Sequence, residues 1–338
     1  AASSHMVYGF FNSSTPTVTA LSCSYCSYLP ATNPHTWWLP ENNHGKTRLR
    51  CLPHILRDQG YHTTHAHTME NKFGGAGEVL IGIGFQEVLG QKALENVLRE
   101  PAMHWGYSDH QLHRFLVRRL RDGKHKAPFL LSAATVDSHA PFVSDADSVP
   151  YGDGKNELLN SIYTADHAFG LFWNYLKGSP YFHNTIVIVL ADHAMFPGKE
   201  HADVRGGEDI TGRYYDRILC GIYNPMYLMK GRSNVVSGQI DLTPTILHML
   251  GLNVRNHFEG HSIFEGRKLF PELVGMHEYL FWIFQKVDGK PTMTNFQLAD
   301  MKGRGVGFDA TSPVLTQAEY YHYYQWKKAL HVNNRIWK

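Results

Sequence analysis

The sequence predicts an α/β fold: a doubly wound, mostly parallel sheet sandwiched by helices, with a small α+β extension at the C-terminal end. Three observations predict it. Residues 129–136 (FLLSAATV), 185–190 (TIVIVL) and 218–223 (ILCGIY) are short, near-continuous apolar runs, as strands buried on both faces require. Stretches with helical spacing of apolar residues alternate with those runs. Two of the runs end where Asp, Ser and His begin, and open α/β sheets build their sites at the carboxyl ends of strands.

Each element follows from its pattern. Residues 7–11 (VYGFF) read as a short strand, and 12–19 (NSSTPTVT) as a hydroxyl-rich turn leading into a helix over 20–28. A helix is expected over 47–58, with Leu49, Leu52, Ile55 and Leu56 on one face and Gly60 closing it. Residues 61–67 alternate weakly, like a strand, and 112–120 form a basic amphipathic helix. A long helix over 158–177 sets Leu159, Ile162, Phe169, Phe172 and Leu176 near one face and stops at Gly178. Asp241 is placed to cap a helix over 242–250, with Gly251 beyond it. A last helix is expected over 317–330. The chain thus divides into a main domain, 1–274, and a C-terminal extension, 275–338, packed on it.

Composition narrows the function. Of 338 residues 43% are hydrophobic, enough for a sizeable core. With 32 basic against 30 acidic residues, the charge of +2 excludes a basic nucleic-acid coat and an acidic disordered chain. No apolar run reaches the ~18 residues that span a bilayer. The 22 histidines raise the expectation of metal or phosphate chemistry, although most are expected to be surface residues. Four cysteines are present, and Cys23 and Cys26 form a CxxC with no second pair to make a zinc ribbon. A local disulfide and two packed thiols both fit it, which leaves the redox compartment open.

Three segments carry chemistry-bearing residues. They are Asn12–Thr19, Asp137–Phe142 after the 129–136 run, and Ala191–Ala194 after the 185–190 run. A hydroxyl can attack phosphorus once a metal lowers its pKa. The adjacent Asp192 and His193 can share one divalent cation, and His139 can bind a phosphate oxygen or protonate a leaving group. Each signal has a plain structural reading: a helix cap, a satisfied loop imidazole, a turn. No GxSxG elbow makes Asp137-Ser-His139 part of a Ser–His–Asp triad.

Together these segments resemble the alkaline phosphatase–sulfatase superfamily, closest to its lipoteichoic acid synthase and phosphoglycerol transferase group, with the phosphoethanolamine transferases nearby. The resemblance covers nearly all of the chain. Thr47–Tyr61 is similar to the family's long helix followed by Gly-Tyr, and Gly84-Phe85-Gln86-Glu87-Val88 resembles its Gly-Phe-Asp turn. Trp105-Gly106-Tyr107-Ser108-Asp109 is similar to its Trp-Gly-x-x-Asp helix start, and His139-Ala140-Pro141-Phe142 to its His-x-Pro-Phe loop. Asp192-His193 matches its metal-binding pair. Gly238-Gln239-Ile240-Asp241-Leu242-Thr243-Pro244-Thr245-Ile246-Leu247, the most specific match, resembles its Gly-x-x-Asp-x-x-Pro-Thr-Ile-Leu tail. Asn333–Trp337 resembles the close of these domains.

The resemblance implies an alkaline-phosphatase-like fold, with 1–274 as a sulfatase-like catalytic domain. It implies Thr17 as nucleophile, because Thr15, Thr17 and Cys23 reproduce the spacing of the phosphoethanolamine transferases; Thr15 is the runner-up. Metal ligands would be Thr17, Asp192 and His193, around Mn2+, Mg2+ or Zn2+. Substrate contacts would be His67, His139 and His201. Where the lipoteichoic group has Phe-Trp-Asn-Arg, this chain reads Phe73-Gly74-Gly75-Ala76, without the tryptophan and arginine.

The implied activity is transfer of a phospholipid head group, phosphoglycerol or phosphoethanolamine, to an acceptor hydroxyl through a phospho-threonine. Alternatives are a sulfatase or phosphomonoesterase, although the sulfatase segment Cys/Ser-x-Pro-Ser-Arg has no match, or an impaired fragment with a binding role. Family members begin with a strand that ends in an acidic metal ligand. None precedes Thr17 here, and Glu200, Asp203, Glu208 and Asp209 do not obviously replace it. The chain is therefore expected to be N-terminally truncated, to lose cation affinity, and to have weak or no activity by itself. It is further expected to be a monomer, tethered to the cell membrane through the missing region, and to act on the periplasmic or extracellular face.

Overall fold

The structure, a computed structural model, describes residues 4–29, 49–99, 102, 105–142, 147–195, 206, 217–226, 231–256, 258–265, 273–277, 280–287 and 290–297. In chain order the elements are β1 (Ser4–Val7), β2 (Phe10–Phe11), α1 (Thr17–Cys26), α2 (Leu52–Asp58), β3 (His62–His67), α3 (Ala76–Gly82), β4 (Glu87–Leu89), α4 (Gln91–Leu98), α5 (Asp109–Arg121), β5 (Phe129–Ala134), α6 (Glu157–Lys177), β6 (Val187–Leu190), β7 (Cys220–Tyr223), β8 (Gly231–Ser233), β9 (Ser237–Gly238), α7 (Leu242–Met249), β10 (Leu273–His277), β11 (Leu280–Val287) and β12 (Lys290–Gln297). The chain divides into two compact units, 1–52 with 186–338, and 53–185.

The first unit is built on a four-stranded sheet in the order β6-β7-β1-β8. β7 runs antiparallel to both β6 and β1, while β8 is parallel to β1, so β6, β1 and β8 share one direction. A short parallel pair, β2 with β9, continues from it through Phe10↔Ser237 and Phe11↔Gly238. The predicted strand over 7–11 is thus two strands broken at Tyr8-Gly9. A Cβ on Gly9 would meet the Val235 carbonyl, which permits the close approach of the two chains. Val7, Phe10, Ile218, Cys220, Ile222, Met249 and Ile263 form this unit's core. Each such large apolar side chain contributes about 1.5–3 kcal/mol of burial. β10, β11 and β12 form a separate antiparallel meander.

The second unit is a parallel three-stranded sheet, order β4-β3-β5, with His62–His67 in register with Phe129–Ala134. α5 begins with a capping box: the Gln111 amide N–H donates to Ser108 Oγ, and the Ser108 N–H to Gln111 Oε1. Its apolar face, Leu112, Phe115 and Leu116, buries against Ala66, Leu89 and Leu94.

Local departures from the sequence reading have clear causes. α1 starts at Thr17 rather than residue 20, because Pro16 opens the helix by leaving Thr19 and Ala20 N–H to bond its carbonyl. Asp241 does not cap α7. Its carboxylate accepts from the Gly238 and His261 N–H groups and ties two loops together. On α6 the buried stripe is Leu158, Ser161, Thr164, Ala168 and Leu176, and Ile162 is exposed. Small hydroxyl residues fill the close approach that the apolar count assigned to larger ones. The CxxC forms no local bridge: Cys26 is bonded to Cys51, and Cys23 is a buried thiol in the core. The helix expected over 317–330 lies outside the described residues.

Candidate active site

In the first unit, two loops meet. β2 ends at Phe11, and the buried run Asn12–Thr15 leads to Thr17 in the first turn of α1. β6 ends at Leu190 and delivers Asp192 and His193 within three residues. Gln239, fully buried after β9, ties the loops together: its Oε1 accepts the Ser13 N–H, and its Nε2 donates to the Asp192 carbonyl. Ser13 Oγ in turn accepts the Ile240 N–H at 3.3 Å. Gln239 lies inside the tail motif, and its place two residues before Asp241 is the one signal of its role in the sequence.

The clamp brings three side chains to one point. Thr17 Oγ1 lies 3.4 Å from His193 Nε2, and Asp192 Oδ2 lies 3.5 Å from the same nitrogen. His193 Nδ1 is 2.6 Å from the Ala194 carbonyl, which can only accept, so the ring proton sits on Nδ1. In the neutral ring Nε2 then presents a lone pair. The His193 side chain is 9% exposed and that of Asp192 37%, so the imidazole is held inside and the carboxylate forms the mouth. Thr17 is half-buried and reachable, whereas Thr15 is fully buried.

A carboxylate oxygen and an imidazole lone pair that face each other repel unless a positive charge lies between them. Metal bonds of about 2.1 Å in tetrahedral geometry set donors about 3.4 Å apart, and these separations match. The donor set therefore fits a small divalent cation. Among the described residues no group of three or more His, Cys, Asp or Glu is arranged to hold a metal.

The sequence and the fold match known proteins. A sulfatase family model matches residues 1–252. The chain belongs to the sulfatase family. Phosphoglycerol transferase I of Escherichia fergusonii is 28% identical over 151 residues, 42% of this sulfatase-family chain and 20% of that protein; that of Citrobacter koseri matches equally. The matched stretch thus spans about a fifth of those relatives' length. An alkaline phosphatase superfamily protein from Vibrio parahaemolyticus superposes with a TM-score of 0.73 at 17% identity, covering 100% of this chain and 81% of that one. Lipoteichoic acid synthase LtaP from Listeria monocytogenes gives 0.69 at 19%, covering 98% and 84%. The fold of this sulfatase-family chain is that of the alkaline phosphatase superfamily.

The remaining candidates lie elsewhere in the sulfatase-family chain. His67 ends β3 and is 2% exposed, with burial lowering its pKa and an Asn71 hydrogen bond opposing that shift. His139 is exposed on the loop after β5, with Nδ1 2.7 Å from the Ala140 carbonyl. Both belong to the second unit. His201, Glu200, Asp203, Glu208 and Asp209 lie outside the described residues.

Proposed function

We propose that this chain is the catalytic domain of a metal-dependent phosphoryl-group transferase, with residues 1–274 as the domain and 275–338 as its extension. Its donor would be a phospholipid carrying phosphoglycerol or phosphoethanolamine, and its acceptor a hydroxyl. The observation that carries this reading is the approach of Thr17 Oγ1 and Asp192 Oδ2 to His193 Nε2 at 3.4 and 3.5 Å. Thr17, Asp192 and His193 would hold Mn2+, Mg2+ or Zn2+. Such an ion, when bound, supplies the positive charge that lowers the pKa of a ligated hydroxyl.

The residues divide the work. Thr17 Oγ forms the new bond to phosphorus as the bond from phosphorus to the diacylglycerol oxygen breaks. Thr17 gives up its proton, and the departing oxygen takes one up. His139 would hold the phosphate or supply that proton, with His67 and His201 as further substrate contacts. The acceptor hydroxyl then attacks phospho-Thr17 and restores the free threonine. Thr17 suits the nucleophile better than Thr15 because substrate can reach it. The name of the relative phosphoglycerol transferase I supports a phosphoglycerol group as the one transferred.

The Cys26–Cys51 bridge supports an oxidising compartment outside the cytosol, on the outer or periplasmic face of a membrane. Among the described residues no helix is long and apolar enough to cross a membrane. Membrane attachment is accordingly part of the proposal for the whole protein.

A second reading is a binding domain of the same fold with an impaired metal site, since among the described residues no third His, Cys, Asp or Glu completes a metal group with Asp192 and His193. Titration with Mn2+ and a labelled phospholipid separates the two. Saturable binding with diacylglycerol release that Thr17→Ala abolishes supports the transferase. No binding up to millimolar Mn2+ supports the impaired domain.

A further inference from the structure

We propose that Trp105 is the positioning residue for His139, holding its loop and its ring so that Nε2 faces outward as the working atom. The proposal deepens the function above, since it rests on His139 meeting the substrate phosphate.

Residues 105–109 grip the loop after β5 at both ends. At the near end, Asp109 Oδ1 accepts the Val136 N–H at 2.7 Å and the Asp137 N–H at 3.2 Å, and the Asp109 N–H donates to Asp137 Oδ2 at 3.0 Å. Two carboxylates thus bind each other's backbone, and Asp109 is fully buried. At the far end, the Trp105 indole N–H donates to the Ala140 carbonyl at 3.0 Å. That carbonyl also receives His139 Nδ1–H at 2.7 Å. The indole and imidazole ring centroids lie 4.9 Å apart in a tilted arrangement, and Phe73 packs on the indole in a T-shaped arrangement with centroids 5.5 Å apart.

These contacts act on an exposed histidine. An exposed imidazole otherwise samples several rotamers and both tautomers. Here one carbonyl, itself fixed by the indole, selects the Nδ1–H form, and the indole face limits the ring's rotation. Nε2 is left facing outward, where once protonated it donates to a phosphate oxygen. Gly106 makes the arrangement possible: its φ of +108° turns Trp105 away from the helix, and a Cβ there would strike the Thr68 carbonyl.

The test combines Trp105→Phe and Trp105→Ala with nitrogen-15 NMR of the imidazoles, the His139 signals being assigned by their loss in His139→Gln. In the wild-type chain at alkaline pH, His139 should show a protonated Nδ1 and a bare Nε2. Trp105→Phe should keep the ring-current shift but move the nitrogens toward a tautomer average, and Trp105→Ala should lose both. If Trp105→Ala fails to fold, Trp105→Phe carries the result. Turnover of a chromogenic phosphodiester with Mn2+ should fall about 10–100-fold in kcat/KM for Trp105→Ala, less for Trp105→Phe. A wild-type His139 already averaged between tautomers, or unchanged His139 signals in both variants, would overturn the proposal. Normal turnover in His139→Gln with the expected NMR changes would instead overturn the substrate role and leave the positioning intact.

Discussion

At the scale of single residues, the chemistry depends on which atoms of Thr17, Asp192 and His193 carry protons. The Ala194 carbonyl places the ring proton on Nδ1, so replacing His193 by Gln removes a lone pair at the point where Thr17 and Asp192 converge. Asp192→Asn removes the only carboxylate there among the described residues. Mn2+ affinity should fall by more than about tenfold in each, read by calorimetry, while urea midpoints stay close to wild type. Equal Mn2+ affinity in both variants and the wild type would remove these residues from the cation site. Burial adds a second residue-level effect. His65, enclosed in β3 beside His67, has its pKa pushed down to about 3, and His125 has its own pushed down to about 4, chiefly by desolvation with Arg119 adding to it. Unfolded imidazoles titrate near 6.5, so between about 6.5 and 3 the unfolded chain binds more protons than the folded one. Stability is therefore complete above about pH 6.5 and is lost as the pH falls below it. The thermal midpoint should drop between pH 7 and 5, and His65→Asn should flatten that slope.

At the scale of elements, the second unit depends on how α5 begins. Ser108→Ala removes one half of the capping box and should cost about 1 kcal/mol in urea unfolding. Gly106→Ala should cost more, because it combines an unfavourable φ with a backbone clash. A midpoint unchanged by Gly106→Ala would contradict the described turn. The same elements show what the sequence made legible. Apolar runs announce strands but not their setting: 129–136 and 185–190 lie within a few residues of β5 and β6, yet both strands are only partly buried rather than enclosed on both faces, and β6 pairs antiparallel with β7. The Ser108 box lies in plain letters. The break of the first strand at Tyr8-Gly9 and the hydroxyl stripe of α6 were not legible. Both are set by how closely another segment approaches, which no local period encodes. The site divides in the same way. Thr17 and Asp192-His193 could be named from motif spacing, and their convergence is a matter of loop geometry. Gln239 and Trp105 stayed hidden because a clamp is defined by its two partners rather than by its own residue type.

For the whole molecule, the Cys26–Cys51 bridge closes a loop of 25 residues in sequence within the first unit. Chain-entropy arguments assign such a crosslink about 3 kcal/mol. Reduction, or Cys51→Ala, should lower the urea midpoint accordingly, while Cys23→Ala, which touches a thiol and no bridge, should leave the mass shift on reduction unchanged. A family domain of this length also accounts for only part of its curated relatives, so transfer from lipid to acceptor belongs to the full-length protein. The local chemistry can be tested without it. The most direct measurement is intact-mass and peptide mass spectrometry after incubating the chain with Mn2+ and a phosphodiester donor, quenched before acceptor is added. A phosphoryl or phosphoglyceryl adduct on Thr17, absent in Asp192→Asn, is the expected result. An adduct on Thr15 or on any other residue, with Thr17 unmodified while donor is consumed, would contradict the account.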